Sequence, residues 1–356
     1  MDVENNVCNF AKMRIGMTAK RLFMPLVFAA SLFLSGITAS AQCMVSDKVI
    51  RIIPFFGKGD SMIYSREHLS MTIVGTDTTI TRHLKEEFQL VCKKASDKKG
   101  YVLEETALKI TDLSQNADDK NKEMEQVITE ALNLSLEGMK VEFSIDPYGT
   151  NLKVENPDKV AAEFQKRVSD SWDIFASKYP LLGTVMSKDV FAGIFKNLTG
   201  TPELLLNNFE EMVQLFELHG NEYEYEVAKT VPLDSPEYTR PGKVEFIALD
   251  VPNEGQPKQN YDDYKFVMFS ESYQDAVTAT LAKLSEKYGQ EIKRDQLQAI
   301  LGDKMPSGEI VVQEHMENEY FNDGWPKELT YFIKSSSNLE TSIEVSYITW
   351  EERDIK

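Results

Sequence analysis

The chain has 356 residues, a formal net charge of −18 and 42% hydrophobic residues. This length and hydrophobic content exclude a wholly disordered chain, and they suffice for one large domain or two ordinary ones with their own cores. The acidic balance disfavours nucleic acids and anionic lipids as partners, because both are bound through basic patches. We therefore expect a folded, acidic protein that does not bind nucleic acid.

Residues 1–41 have the pattern of a secretory signal peptide. A basic pair precedes an apolar segment over residues 22–37, which is shorter than the roughly 20 apolar residues of a membrane span. Small side chains at Ala39 and Ala41 fit a signal-peptidase site, so we expect cleavage between Ala41 and Gln42. The alternative is an uncleaved anchor helix. After cleavage we expect no transmembrane segment and a periplasmic or secreted protein.

Two cysteines remain after the expected cleavage, Cys43 and Cys92. A lipoprotein signal has a small residue directly before its cysteine, and here that residue is Gln42, so lipidation of Cys43 is disfavoured. An oxidising compartment permits a disulfide between the two cysteines. Two unpaired thiols are the alternative, because a sequence does not give the distance between them.

Residues 42–156 are predicted to form a β-rich region with one helix. Polar and apolar residues alternate through residues 48–107, with turn residues between the strands, which is typical of an antiparallel meander with one buried face. Apolar residues recur at helical spacing over residues 123–138. A hairpin with a Pro- and Gly-containing turn is predicted over residues 139–156.

Residues 157–221 are predicted to form a helical section. Asn156 can cap its first helix, and Pro157 fits the first turn. The apolar stripes on these helices most often form a core, although helices over a β body can also line a groove for an apolar ligand. The candidate ligand-binding residues are Trp172, Phe175, Phe209, Met212 and Phe216.

Residues 222–356 are predicted to be a second β-rich region, with helices over residues 274–289 and 294–304. The whole order predicts an α+β protein, with antiparallel β-sheets and the helical middle section packed on them. A barrel-like or half-barrel form of the β body is compatible with this order. The alternation of strand and helix that marks a parallel, doubly wound nucleotide fold is absent.

No sequence motif indicates a metal, a cofactor or a nucleotide. None of the four histidines has a second His or Cys at metal-ligand spacing, and the chain lacks a phosphate loop and a Gly-rich dinucleotide turn. We therefore predict no metal site and no cofactor. His68 and His83 lie on predicted strands where they could face each other, and ordinary surface histidines are the alternative.

Carboxylates are the one candidate for catalysis. Glu222, Glu224 and Glu226 alternate along a predicted strand and would share one of its faces. Such a pair could flank a glycan as acid and base, or hold calcium. A solvated strand face is the alternative.

Three stretches resemble secreted proteins of the Bacteroidota that have no assigned activity: "EGMKVEFSIDPYGTNLKVENPDKV", "GDSMIYSREHLSMTI" and "GWPKELTYFIKSS". The likeness spans most of the chain after the signal, and it implies a compartment and a style of fold only. The motifs Asp60–Ser61–Met62 and Asp77–Thr78–Thr79 are similar to the sites at which that group O-glycosylates exported proteins. The resemblance thus implies modification of Ser61 and Thr78.

Two hypotheses for function follow. The first is an exported, non-enzymatic protein of the cell envelope that binds a protein partner, or an apolar or glycan ligand, through its β body and helical section. The alternative is a hydrolase of polysaccharide or peptide that uses a carboxylate pair such as Glu222 and Glu224.

Overall fold

The structure is a computed structural model of the chain. It describes residues 44–46, 49–114, 130–131, 133–178, 184, 187–196, 209–234, 238–251, 263–288, 292–302, 307–338 and 340–356. The predicted signal peptide, its cleavage site between Ala41 and Gln42, and Cys43 lie outside the described residues.

Strands dominate the described part of the chain. In chain order, strands β1 to β14 are Met44–Ser46, Val49–Arg51, Ser61–Val74, Asp77–Ser96, Gly100–Asp112, Lys140–Ile145, Lys153–Val154, Glu222–Glu224, Lys229–Leu233, Tyr238–Val251, Asp263–Asp275, Glu309–Tyr320, Pro326–Ser336 and Thr341–Asp354. Helices α1 to α5 are Pro157–Lys178, Lys188–Lys196, Glu210–Phe216, Ala276–Tyr288 and Arg294–Leu301. Residues 130–131 and 133–136 are also helical.

Eleven of these strands form one antiparallel sheet, in the order β7-β6-β5-β4-β3-β14-β13-β12-β11-β10-β9, and the sheet is not closed. Strands β7 and β9 are its edges, while β1, β2 and β8 form a separate three-stranded sheet. The antiparallel sheets of the predicted α+β fold are therefore confirmed, whereas a closed barrel is not formed and the predicted helical middle is only partly supported. The two predicted β-rich regions contribute to the same large sheet, because β3 pairs with β14.

Alternation along the strands defines an inner and an outer face of the large sheet. Met62, Tyr64 and Arg66 are buried on β3, while the residues between them are only partly buried. Leu103 and Glu105 are buried on β5 in the same way. We call the face that carries these residues the inner face. Its apolar residues, among them Met62, Tyr64 and Leu103, form one hydrophobic cluster with the buried residues of α1 and α3.

Helix α1 forms because its apolar residues recur every three or four positions and make a single buried stripe. The stripe consists of Val160, Phe164, Val168, Trp172 and Phe175. Within the described ranges, no helix combines the length and the apolar content needed to cross a bilayer.

The turn between β4 and β5 requires glycine at position 100. Gly100 has a φ of +85°, and a Cβ atom there would overlap the carbonyl oxygen of Ile145 on β6. A side chain at this position would therefore both strain the turn and push β6 away from β5. This close approach keeps β4, β5 and β6 in register on the side of the sheet where the candidate site lies.

Candidate functional site

The residues predicted to bind a ligand are all buried in the hydrophobic cluster: Trp172, Phe175, Phe209, Met212 and Phe216. The ring of Trp172 packs 5.0 Å from that of Phe191, and the ring of Phe209 packs 5.3 Å from that of Phe143. Because all five are buried, a ligand could contact most of their surface only if the helices move away from the sheet, although Phe209 also lines a cavity that opens to solvent. Their role in binding stays a prediction.

Glu222 and Glu224, the pair predicted for catalysis, each have a basic partner of their own. Glu222 forms an ion pair with Arg51, and the Oε1 atom of Glu224 lies 2.8 Å from Nζ of Lys229. Glu226 lies beyond the end of β8 and has a left-handed φ of 56°. These are the features of structural ion pairs at a sheet edge.

Cys92 is fully buried on the inner face of β4. Its Sγ donates a hydrogen bond to the carbonyl oxygen of Lys94 at 3.4 Å. Burial, together with the nearby charge of Asp60, raises the pKa of the Cys92 thiol to about 12, which makes it a poor nucleophile. Its pairing with Cys43, which lies outside the described residues, stays a prediction.

The two predicted glycosylation sites differ in accessibility. Thr78 is exposed near the turn between β3 and β4. Ser61 is half-buried at the start of β3, between the buried side chains of Asp60 and Met62. Modification of either residue stays a prediction, and Thr78 is the more accessible of the two.

His68 and His83 do not face each other, and His68 is not a surface histidine. In the pairing of β3 with β4, the partner of His68 is Leu84, and the partner of His83 is Leu69. His68 is buried on the inner face, whereas the Nε2 atom of His83 lies 2.6 Å from Oε1 of Glu67 on the outer face.

The most unusual feature of the inner face is a buried group of charges around Arg66. We define the Arg66 cluster as Arg66 on β3, Glu86 on β4, Glu105 on β5, and Glu210 and Glu211 in the first turn of α3. The Nη1 atom of Arg66 donates to Glu86 at 3.2 Å and to Glu211 at 3.0 Å, and Nη2 donates to Glu210 at 2.8 Å. The cluster therefore ties α3 to three neighbouring strands.

The remaining donors of Arg66 are also occupied. Its Nε atom donates to the hydroxyl of Ser346 on β14 at 3.2 Å. Its Nη2 atom lies 3.5 Å from Nδ1 of His68, whose Nε2 atom lies 3.0 Å from the hydroxyl of Ser70. Burial and the charge of Arg66 lower the pKa of His68 to about 4, so its imidazole is neutral at pH 7.

Glu105 and Glu211 lie close enough to form a buried carboxyl pair in which each shifts the pKa of the other. Burial raises the pKa of Glu211 to about 7, and the charge of Glu86 adds to this, while Arg66 opposes it. Burial and the neighbouring Glu211 raise the pKa of Glu105 well above its usual range. Two buried carboxyls in contact cannot both ionise readily, so the pair retains a proton at neutral pH.

Glu210 marks the rim of the cluster. Half of its side chain (50%) is exposed, compared with 9% for Glu211 and 5% for Arg66. Arg66 lowers the pKa of Glu210 although burial opposes the shift, so this carboxylate is charged. The ionised Glu210 thus lies beside a carboxyl pair, Glu105 and Glu211, that retains a proton.

A cavity lies between the start of α3 and the inner face of β4 and β5. Its apolar wall is formed by Phe88, Ala107, Ile110, Leu136 and Phe209. Its acidic wall is formed by Glu86, Glu87, Glu105 and Glu211. The enclosed space is about 20 Å³, room for a single water molecule, and the rest opens to solvent. We call it the Glu105 cavity.

A second cavity of about 20 Å³ lies where β8 meets β10 and β11. Its wall is mostly apolar and includes Tyr223, Phe246, Phe266 and Met268, with Glu222 also lining it. In the part of the chain that the structure describes, no group of three His, Cys, Asp or Glu side chains is arranged to hold a metal ion.

Sequence reasoning missed the Arg66 cluster, although one signal could have found it. Arg66 and His68 have the same parity as the apolar Met62 and Tyr64 on one predicted strand. Glu105 likewise lies two residues after the apolar Leu103 on another predicted strand, and so it shares a face with Leu103. A charged residue at a position that alternation assigns to the buried face indicates a buried polar site.

No protein-family model matches this chain, and no curated protein sequence matches it. Among solved structures, the chain is similar to part of a lipovitellin structure that describes lipid–protein interactions. The TM-score is 0.36, and the identity is 10% over 84% of this chain and 26% of the other. It is also similar to an outer membrane channel from Pseudomonas putida F1, with a TM-score of 0.12 and 7% identity over 84% of this chain and 98% of the other. This chain spans about a quarter of the lipovitellin chain. At these TM-scores neither likeness supports an argument about function.

Proposed function

We propose that this protein is a non-enzymatic binding protein that holds an apolar ligand between the inner face of its open sheet and its helices. The observation that carries the proposal is the Glu105 cavity, which has an apolar wall and lies inside the unclosed sheet. Ligand sites commonly combine such a wall with a few polar groups that fix orientation.

The cavity wall has a floor and a cover. Phe88, Ala107 and Ile110 belong to the sheet, whereas Leu136 belongs to the helical residues 133–136 and Phe209 directly precedes α3. The enclosed space is smaller than any ligand with an alkyl chain, so binding has to part the cover from the floor. The apolar body of the ligand would then replace the contacts that the two halves make with each other.

Filling the cavity should weaken this binding. We expect Ala107→Trp to weaken the affinity for the neutral fluorophore N-phenyl-1-naphthylamine at least about fivefold, which corresponds to roughly 1 kcal/mol of lost contact. Thr106→Trp places the same ring on the outer face of the same strand and should bind as the wild type does. Fluorescence titration measures both. Equal affinities for the two variants, or no binding by the wild type, would contradict the proposal.

We also propose that the protein is exported and belongs to the cell envelope. The support is the sequence pattern of residues 1–41, with small side chains at Ala39 and Ala41. An intact mass of the protein purified from its own host should correspond to a chain that begins at Gln42. A mass that includes residues 1–41, or a lipid increment on Cys43, would overturn this expectation.

A hydrolase is the second candidate, and one observation favours it. Glu105 and Glu211 are a carboxyl pair in a cavity, and acid–base chemistry uses carboxyls that differ in protonation. This pair replaces Glu222 and Glu224 as the carboxylates to test. Turnover on a panel of glycans and peptides that disappears in Glu105→Gln would favour the hydrolase over the binding protein.

A further inference from the structure

We infer that the Glu105 cavity takes a ligand that joins an organic ammonium group to an apolar body. The inference rests on the proposed function, because it names the class of ligand for the same cavity. Three features of the cavity support it: the charge of the Arg66 cluster, one buried oxygen atom and the composition of the wall.

The Arg66 cluster holds more carboxyls than it has cations to balance them. Glu86, Glu210 and Glu211 all accept hydrogen bonds from the single guanidinium of Arg66. Glu105 is a fourth carboxyl in the same buried cluster, and it contacts Glu211 rather than Arg66. A second cation at this place would allow the carboxyl pair to ionise, and so it would be bound favourably.

Glu105 also has an oxygen atom without a protein partner. Its side chain is 3% exposed, it lines the cavity, and its Oε2 atom is buried without a hydrogen bond. Leaving a buried polar atom unpaired costs about 1–3 kcal/mol, so a donor in the cavity would be stabilised by that atom. An ammonium group supplies up to three such donors.

The wall of the cavity selects among cations. A metal ion of the calcium type needs six or more oxygen ligands, whereas one side of this cavity consists of Phe88, Ala107 and Phe209. An ammonium group with an alkyl body matches both sides, since its head pairs with carboxylates and its body covers the apolar wall. An anionic head is disfavoured, because four N–H groups of Arg66 already donate to protein acceptors and its Nη2 atom also faces Nδ1 of His68 at 3.5 Å.

The test compares three ligands with the same chain: dodecylammonium, dodecanol and dodecyl sulfate, each below its micelle concentration. Each competes with N-phenyl-1-naphthylamine for the intact protein at pH 7.5. We expect dodecylammonium to bind about tenfold more tightly than dodecanol, which corresponds to one charge-assisted hydrogen bond, and dodecyl sulfate to bind most weakly. Glu105→Gln should reduce the affinity for dodecylammonium to that for dodecanol.

Glu104→Gln is the matched control, because Glu104 is the next residue on β5 and lies on the outer face between Lys93 and Lys140. It should leave all three affinities unchanged. Equal affinities for dodecylammonium and dodecanol would overturn the inference and leave the proposed function standing, whereas no binding of either would remove both. A tenfold preference that survives in Glu105→Gln would also overturn the inference, provided that this variant still binds N-phenyl-1-naphthylamine.

Discussion

Arg66→Met is expected to lower the free energy of unfolding by about 3–5 kcal/mol at pH 8, the usual effect of removing one partner from a buried charge network. Methionine preserves much of the apolar stem but removes every donor of the guanidinium. The carboxylates of Glu86 and Glu211, with side-chain exposures of 17% and 9%, would then be buried without a cation. Helix α3 would lose its ionic attachment to β3, and the cover of the cavity would loosen.

The loss in Arg66→Met should shrink as the pH falls. Without the guanidinium, the buried carboxyls take up protons at higher pH and their repulsion disappears. Urea denaturation at pH 8 and pH 5 measures the two values. Arg294→Met, which removes an exposed guanidinium from the first turn of α5, far from the cluster in the chain, should cost less than about 1 kcal/mol at both pH values. Similar losses for the two variants would show that the Arg66 cluster does not stabilise the fold.

Glu211→Gln is expected to become more stable relative to the wild type as the pH rises. The pKa of Glu211 is about 7 in the folded state and 4.5 as the ordinary value. Between these values the folded state holds more protons, so the wild type loses stability as the pH increases. Glutamine cannot ionise, so the difference in unfolding free energy should rise by about 2–3 kcal/mol between pH 4.5 and pH 8.

Other groups, such as His68, also make the stability of the wild type depend on pH. The difference in unfolding free energy between Glu211→Gln and the wild type is therefore more informative than the wild-type curve alone. The pKa of His68 is lowered to about 4 by burial and by Arg66, so His68 contributes stability that is gained as the pH rises from 4 to 6.5. This opposes the contribution of Glu211, which is surrounded by Arg66, Glu86 and Glu105 from three strands. Subtracting the wild-type curve removes the shared contribution of His68.

Glu104→Gln is a control for which the difference in unfolding free energy should change with pH in the opposite direction. The pKa of Glu104 is lowered, because hydrogen bonds from Lys140 and Lys93 outweigh burial. Its stabilising contribution is therefore present above the ordinary pKa and lost as the pH falls. The difference for Glu104→Gln should decrease as the pH rises towards 4.5 and stay flat above it, where that for Glu211→Gln increases. A flat or falling difference for Glu211→Gln would contradict a protonated carboxyl pair.

The strands could be predicted from sequence because alternation is a local signal. The segments that became β3 to β6 and β12 to β14 were each marked by period-two patterns between turn residues, and the stripe from Val160 to Phe175 marked α1. The joining of the two β-rich regions could not be predicted. It depends on the pairing of β3 with β14, which are more than 250 residues apart, and alternation does not specify partners.

The candidate site could not be assembled from sequence for the same reason. Arg66, Glu86 and Glu105 come from three strands, and Glu211 comes from a helix much later in the chain. Their contact depends on the strand order and on the placement of α3, neither of which has a local signal. Glu222 and Glu224 drew attention because they are neighbours in sequence, whereas the structure gives each its own basic partner.

The central claim is that an apolar ligand binds inside the open sheet under α3, and photolabelling tests it most directly. A neutral dodecanol analogue that carries a diazirine on its chain would be bound, irradiated and mapped by peptide mass spectrometry. We predict labels on Phe88, Ala107 or Ile110 of the floor and on Leu136 or Phe209 of the cover. Labels confined to the outer face of the sheet, or labelling that excess dodecanol does not reduce, would contradict the claim.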